Sequence, residues 1–361
     1  MRKTFTLILF AGIISTSSAQ DPSFAQFFSS PLNINPALTA NIKGTWRAIS
    51  NYRDQWISAH SPYATGTVSM DAKLLTNLVD NYVDENYRLG IGGMFMYDQA
   101  QAGAMKGNYA SLNLSGNILL AEGSGVEWNG MRIRHNNHVT TDDAEHRIGA
   151  GFGVIYGSKR LDYSNFTFGE QFNGGTFTFD PAVPNGESIN QTTKPYFSVS
   201  AGLLYSFLSS NTNIDLGVAA FHFNKPRQTV LNDNNSYLPI RYVAHGNLET
   251  ILTDQVVLQT NGIYQYQAGT SYFSIGGAAG YYLSGTDDDN DAVINAGLWY
   301  WSNNAVIPYV GFGFRNFQVG ASYDITINGL GQAQKKPKTF ELSLIIRGNG
   351  RPNGVIPSPW K

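Results

Sequence analysis

The feature that most constrains this chain is a two-residue alternation of apolar and polar side chains, sustained over segments of about 9–13 residues where strands of globular proteins average roughly 5–6. Successive side chains of a strand point to opposite faces, so this period writes one apolar and one polar face onto a sheet. Ala110, Leu112, Leu114, Gly116 and Ile118 share one face, and Tyr109, Ser111, Asn113, Ser115 and Asn117 the other. The pattern recurs at Ile148–Tyr156, at Phe197–Phe207 and at Phe317–Ile327. It closes with Phe340, Leu342, Leu344 and Ile346. Segments of this length suit strands that cross a bilayer at a tilt.

Fourteen segments fit: 45–53, 62–73, 87–98, 107–120, 146–158, 195–208, 211–224, 240–252, 255–266, 270–284, 291–302, 305–315, 316–328 and 338–347. The fold class expected is all-β, a transmembrane antiparallel barrel of about fourteen strands with both termini on the periplasmic side. Short turns are expected at Ser209–Ser210, Thr253–Asp254 and Arg315–Asn316, and long outer connections at 159–194 and 225–239. The inner connections 74–86 and 121–145 are long for such a barrel; each reads either as a periplasmic docking element or as a displaced register. Gly90, Gly92, Gly149, Gly151, Gly153, Gly311 and Gly313 fall inside strands, where glycine weakens pairing. Within a barrel they serve sharp curvature or leave room for a segment in the lumen.

Composition agrees with lipid as the solvent of one face. Charged residues are only 14%, against roughly 25% in soluble domains, while Gly, Tyr and Phe number 38, 20 and 21. There is no Cys, which excludes disulfides and thiolate chemistry. The formal charge of −2 falls further once Arg2 and Lys3 are lost, and no basic stripe points to nucleic acid.

Residues 1–19 read as a cleaved signal peptide: Arg2 and Lys3, an apolar run from Thr4 to Ile14, then Ser17 and Ala19 before Gln20. Beyond it the domains expected are a signature segment at 20–44, the barrel at 45–347 and a polar tail at 348–361. No catalytic set can be assembled. Gly149-x-Gly151-x-Gly153 lies in a strand and opens no helix, unlike a phosphate loop. His135, His138 and His146 beside Asp142, Asp143 and Glu145 read as a solvated loop more readily than as zinc ligands. Asp287, Asp289 and Asp291 have calcium-loop spacing but lack the loop glycine and a terminal Glu. His60 and Ser61 have no partner for hydrolysis. No cofactor and no metal are expected.

Residues 21–40 read DPSFAQFFSSPLNINPALTA, and NYRDQW follows at 51–56. Together these resemble the opening signature of the PorP/SprF family of type IX secretion outer-membrane proteins. The matching positions are Pro22, Phe24, Gln26, Phe27, Pro31, Leu32, Asn33, Asn35, Pro36, Ala37, Tyr52, Arg53, Gln55 and Trp56. Ala25 and Ala40 depart from the pattern, as do the 121–145 stretch and the tail. The resemblance implies a Bacteroidota protein that is no enzyme, and that helps export or anchor a secreted client such as a large gliding adhesin. It also implies a periplasmic peptidoglycan-binding lipoprotein as partner. From the residues themselves, 21–40 is either a plug in the lumen or an ordered amino-terminal loop, since Phe24, Phe27, Phe28, Leu32 and Leu38 need burial while Asn and Pro resist strand formation. Aromatics of the outer connections, Phe166, Phe168, Phe172, Phe177, Phe179, Tyr196 and Tyr237, are candidate client contacts. The competing reading is a porin or a transporter of hydrophobic solutes. A soluble β-sandwich fits neither the strand length nor the aromatic load.

Overall fold

The computed structural model describes residues 21–42, 44–57, 62–74, 87–100, 104–123, 144–162, 168–180, 182–184, 191–209, 211–228, 236–283, 292–328 and 337–348. The strands are β1 (Trp46–Gln55), β2 (Tyr63–Leu74), β3 (Tyr87–Ala100), β4 (Met105–Gly123), β5 (Ala144–Leu161), β6 (Phe172–Asn173), β7 (Thr178–Phe179), β8 (Gln191–Thr192), β9 (Tyr196–Leu208), β10 (Thr212–Phe221), β11 (Arg241–Thr253), β12 (Val256–Gln267), β13 (Thr270–Tyr282), β14 (Ala292–Trp301), β15 (Ala305–Phe314), β16 (Phe317–Thr326) and β17 (Thr339–Gly348). The fourteen long ones each pair antiparallel with their neighbours. β4 pairs β5, and β1 pairs β17 from Trp46↔Gly348 to Asp54↔Phe340, so the sheet closes on itself. The fold is a fourteen-stranded antiparallel β-barrel. Among the described residues no helix is long and apolar enough to cross a membrane; a closed barrel is the other architecture that can span one.

Each of the fourteen expected segments corresponds to one strand, and the differences lie at their ends. β10 stops at Phe221 because His222 takes a positive φ of 60°. The turn expected at Thr253–Asp254 sits one residue later. A register shift between Ile251 and Thr253 extends β11, and the Thr253 hydroxyl then accepts the Gln255 and Val256 N–H groups. The 121–145 connection is shorter than expected. Pairing resumes after a shift between Leu119 and Ala121 and runs on to Gly123↔Ala144, so 121–123 and 144–145 are strand. Residues 1–20, 75–86, 124–143, 284–291 and 349–361 lie outside the described residues, and with them the signal peptide, His135, His138, Asp142, Asp143, the Asp287–Asp291 triplet and most of the tail. His60 and Ser61 also lie outside.

The faces separate as the alternation requires. Val68, Leu112, Leu114, Val154, Leu203, Val310, Val319 and Leu344 are exposed on the outer wall. Arg47, Asn51, Arg53, Asn113, Asp215, Gln259, Asn261 and Glu341 are buried within. An even strand number puts the start of β1 and the end of β17 at the same end of the barrel, here called the near end. The described residues of the connections 162–195 and 222–240 lie at the far end. The apolar core is inside the barrel: Trp299, Ile307, Tyr309, Tyr282, Val257 and Ile263 pack with Phe27 and Ile34 of the amino-terminal segment.

This register has an energetic consequence. Arg substituted at Leu112, Val154 or Val319 is expected to cost about 2–4 kcal/mol in folding if the site lies near mid-membrane. Equilibrium folding into lipid vesicles measures it, and neutral results at all three positions would place these side chains off the lipid face.

Candidate functional site

Residues 21–42 form a strap of three short helical turns: Phe27–Ser29, α1 (Pro31–Ile34) and Pro36–Leu38. Proline opens both of the last two, where its fixed φ suits the first helical position and its missing N–H costs nothing. Asn35 between them is extended, as the residue before proline must be, and its Oδ1 accepts the Ala37 N–H at 2.8 Å. A capping oxygen and two prolines thus give a compact shape to a segment whose composition resists strand formation.

The strap runs the length of the lumen. At the far end Asp21 meets His222 Nε2 at 2.7 Å and Arg241 Nε at 3.2 Å, and its backbone N–H donates to Gln267 Oε1. At the near end the Ala40 N–H donates to Asp71 Oδ2 at 2.7 Å, and Asn41 Nδ2 donates to Asp215 Oδ1. Asp71 is itself held by Arg47 through two hydrogen bonds. Between these points the strap leans on a wall of small residues. A Cβ on Gly151 would overlap the Pro36–Ala37 backbone, and one on Gly202 would overlap the Asn35 amide. Into that notch Asn35, 0% exposed, donates through Nδ2 to the carbonyls of Leu203 at 3.0 Å and Val218 at 3.3 Å. Gly90 and Gly92 make similar room for Thr39, Ala40 and Leu32. Gly149, Gly153, Gly311 and Gly313 make room for barrel side chains instead. Against the opposite wall Phe28 stacks on Trp299 at 4.8 Å and meets Tyr309 edge to face.

One carboxylate ties strap and strands together. Glu341 of β17 accepts the Ala25 N–H at 2.5 Å and the Gln26 N–H at 2.7 Å. It also pairs with Arg53 of β1, which reaches Asp324 at 2.7 Å and lies over the Trp301 ring. The Gln26 side chain donates to Ser322 and accepts from Ser343. The signature residues Gln26 and Arg53, far apart in sequence, therefore meet at Glu341. Asn33 offers its carbonyl to Arg241 and its amide to the Pro22 carbonyl. Phe24 and Phe27 are buried. Gln55 accepts from Arg53 Nε, and Trp56 turns at a φ of 62° to meet Tyr63. The sequence reading missed Glu341, Asp324, Asp71, Arg47 and Asp21. Charged side chains on the inner face of otherwise alternating strands were the available signal.

The outer aromatics divide. Phe172, Phe177 and Phe179 form one cluster on the β6–β7 hairpin, with Phe177 81% exposed at a φ of 53°. Tyr237 is exposed beside Arg227. Phe168 is half-buried at the base of the hairpin. Tyr196 does not belong to this surface: it is 6% exposed, points into the lumen from β9 and fills the space beside Gly157. Phe166 lies outside the described residues. Glu145 pairs with Arg88 and Arg147, and His146 meets the Tyr205 hydroxyl. Among the described residues no group of three or more His, Asp or Glu is placed to hold a metal.

Burial opposes the charge on Asp21, but the charges of His222 and Arg241 outweigh it and hold the carboxyl well below the usual carboxylate range. A depressed folded pKa contributes stability above the unfolded value, near roughly 4, and loses it as pH falls through the folded value. Asp21→Asn is therefore expected to lower the thermal midpoint of the detergent-solubilised barrel at neutral pH. The gap from the unsubstituted protein should narrow as pH drops below about 4; a gap constant down to the lowest pH would show that the ion pairs do not seat the strap.

The family profile described as "Type IX secretion system membrane protein PorP/SprF" matches residues 16–346. No curated protein matches. Among solved structures the Ralstonia pickettii toluene transporter TbuX is 10% identical, covering 89% of this chain and 94% of that one at a TM-score of 0.47. The translocator domain of the autotransporter NalP from Neisseria meningitidis is 11% identical over 84% of this chain and 88% of that one, at 0.34. The KdgM porin is 8% identical over 84% and 99%, at 0.30. At such identities and TM-scores none of these likenesses bears on what this chain does.

Proposed function

The chain belongs to the PorP/SprF family of type IX secretion system membrane proteins, and from that premise we propose that this outer-membrane barrel assists the export or surface anchoring of one secreted client, a large adhesin of the kind used in gliding, without catalysing a reaction. The observation that carries the reading is the far-end hairpin of β6 and β7. Phe172 and Phe179 brace each other at 5.1 Å between ring centroids, and Phe177 projects beyond them into solvent. A soluble monomer gains nothing from such a ring, whereas aromatic anchors on positioned loops dominate binding energy at protein interfaces. Tyr237, backed by Arg227, extends the same far-end surface. At the near end β4 runs on to Gly123 paired with β5, and this end of the barrel is where we would seat a periplasmic peptidoglycan-binding lipoprotein.

The strap supports a binding role over a conducting one. It lies lengthwise in the lumen, anchored at both ends and stacked on Trp299 at mid-course. A barrel filled in this way gives solutes little room.

Two measurements test the reading. Cells lacking the protein are expected to export most type IX substrates but to lose one adhesin from the surface proteome. Phe177→Ser is expected to reproduce that loss while the barrel still inserts. In planar bilayers the intact protein should carry little steady current, and removal of residues 21–40 should raise it. An unchanged surface proteome together with a large open-pore current or a defect in solute uptake would replace this proposal with that of a porin or transporter.

A further inference from the structure

The outward positions of the long strands carry almost no charge, as a wall facing hydrocarbon requires. The exception among cations is a pair at the far end. Lys106 of β4 stands directly across from Arg160 of β5, and both lie in the outward register of Leu112 and Val154. Like charges placed opposite one another on a sheet repel. Asp162 lies 3.9 Å from Arg160, whose side chain is 55% exposed, and offsets one of the two charges. Among the described residues no carboxylate pairs with Lys106. More positive charge borders the pair. Lys194 is exposed on the link between β9 and β8, whose Thr192 stands across from Arg160. Lys225 is exposed just after Asn224, which donates through Nδ2 to the Phe197 carbonyl at 2.9 Å and accepts the Val199 N–H at 3.1 Å.

Below the cations the outer face changes in steps toward the middle of the wall. Asn108 faces Ser158 in the next row, which offers an amide and a hydroxyl. Tyr156 follows, across from Phe197 of β9, with ring centroids 5.5 Å apart. Leu112 and Val154 come after, both exposed. Cation, hydrogen-bonding group, aromatic ring and aliphatic chain thus succeed one another along one stripe. That is the order of groups complementary to an amphiphile whose anionic head sits at the membrane surface and whose chains descend from it. A single lysine here would be explained by its stem lying on apolar wall while its amine reaches the polar layer. That does not account for two cations set side by side.

We propose that this stripe is a binding site for a phosphate-bearing lipid of the leaflet at the far end. The Arg160 guanidinium takes two phosphate oxygens in its planar fork, and Lys106 adds a point charge. Lys194 and Lys225 raise the local positive potential. Asn108 and Ser158 bond to the oxygens that join head to chains, and the acyl chains lie along Tyr156, Phe197, Leu112 and Val154. A free phosphate ion engages only the upper half of the stripe; the apolar lower half commits the site to a lipid. The inference concerns the outer wall and stands whether or not the far-end hairpin binds a client.

The test uses the full mature chain in a neutral detergent. The probes are diphosphoryl lipid A, the same lipid stripped of its phosphates, and inorganic phosphate. Native mass spectrometry reads the lipid retained, and the thermal midpoint reads binding to the folded barrel by mass action. The expected result is retention of the phosphorylated lipid, little of the stripped one, and a rise in midpoint with the former alone. Added salt should weaken retention, since the contact is ionic and exposed. Lys106→Gln combined with Arg160→Gln should weaken it about tenfold or more, because charge-assisted hydrogen bonds are lost. Arg315→Gln, at an exposed cation of the near-end turn, should leave it unchanged. Heat-modifiable migration checks that each variant is folded. Equal retention of both lipids by the unsubstituted protein would overturn the proposal, even where the double variant fails to fold. Undiminished retention in a folded double variant would overturn it as well. A midpoint rise with inorganic phosphate matching that with the lipid would replace it with a free-anion site, and retention of neither lipid would replace it with an acidic protein surface.

Discussion

Everything in this molecule depends on the pairing of β1 with β17. In hydrocarbon no water is present to satisfy the N–H and C=O groups of a sheet edge, so a sheet that crosses a bilayer must have no edge there. Closure from Trp46↔Gly348 to Asp54↔Phe340 removes the last one. It also fixes what the interior must be, because every second side chain now points into a confined space that has to be filled or hydrated. The same two strands carry Arg53 and Glu341, so the seam that closes the backbone is also where the strap is clamped. The outer wall answers to lipid and the inner wall to the strap, and the alternation of a single strand serves both.

The inner wall is asymmetric for a physical reason. On β3, β5, β9 and β10 glycines recede so that the strap's backbone lies against the sheet. On β14 and β15 the large rings of Trp299 and Tyr309 reach across to meet it. Glycine in a strand ordinarily weakens pairing; here the loss is offset by the buried contacts of Pro36, Ala37 and Asn35. The Asn-Pro-Ala run of the signature then has a mechanical account. Asn35 caps the turn with its oxygen and grips two wall carbonyls with its nitrogen. Pro36 presets the turn. Ala37 is small enough to lie over Gly151.

Much of this was legible in the sequence, because a period of two over long segments is a local property. The Ala110–Ile118 and Phe317–Ile327 alternations assign strands, faces and class without any knowledge of partners. Strand ends were less legible. The extension of β11 to Thr253 rests on a register shift that no periodicity announces, and β4 outlasted its alternation for the same reason. The site was legible only in part. Gln26, Asn35 and Arg53 could be singled out by resemblance, but their shared partner Glu341 lies at the other end of the chain and stands in an ordinary alternating strand. Tyr196 shows the converse error. Next to a long connection it reads as a loop residue, whereas its position in the β9 register turns it inward.

The clamp on Glu341 joins residues 316 apart in sequence, and this gives the strap a second meaning in time rather than in space. The strap precedes every strand of the barrel in sequence, yet it is among the last parts to be secured, since its acceptor arrives with the final strand. A one-residue slip of β17 turns its side chains to the opposite face. Glu341 would then leave the lumen, and the Arg53 guanidinium and the Ala25 and Gln26 N–H groups would lose the acceptor they share. The strap thus acts as a gauge of closure: its full set of bonds forms only in a barrel whose last strand has docked in register.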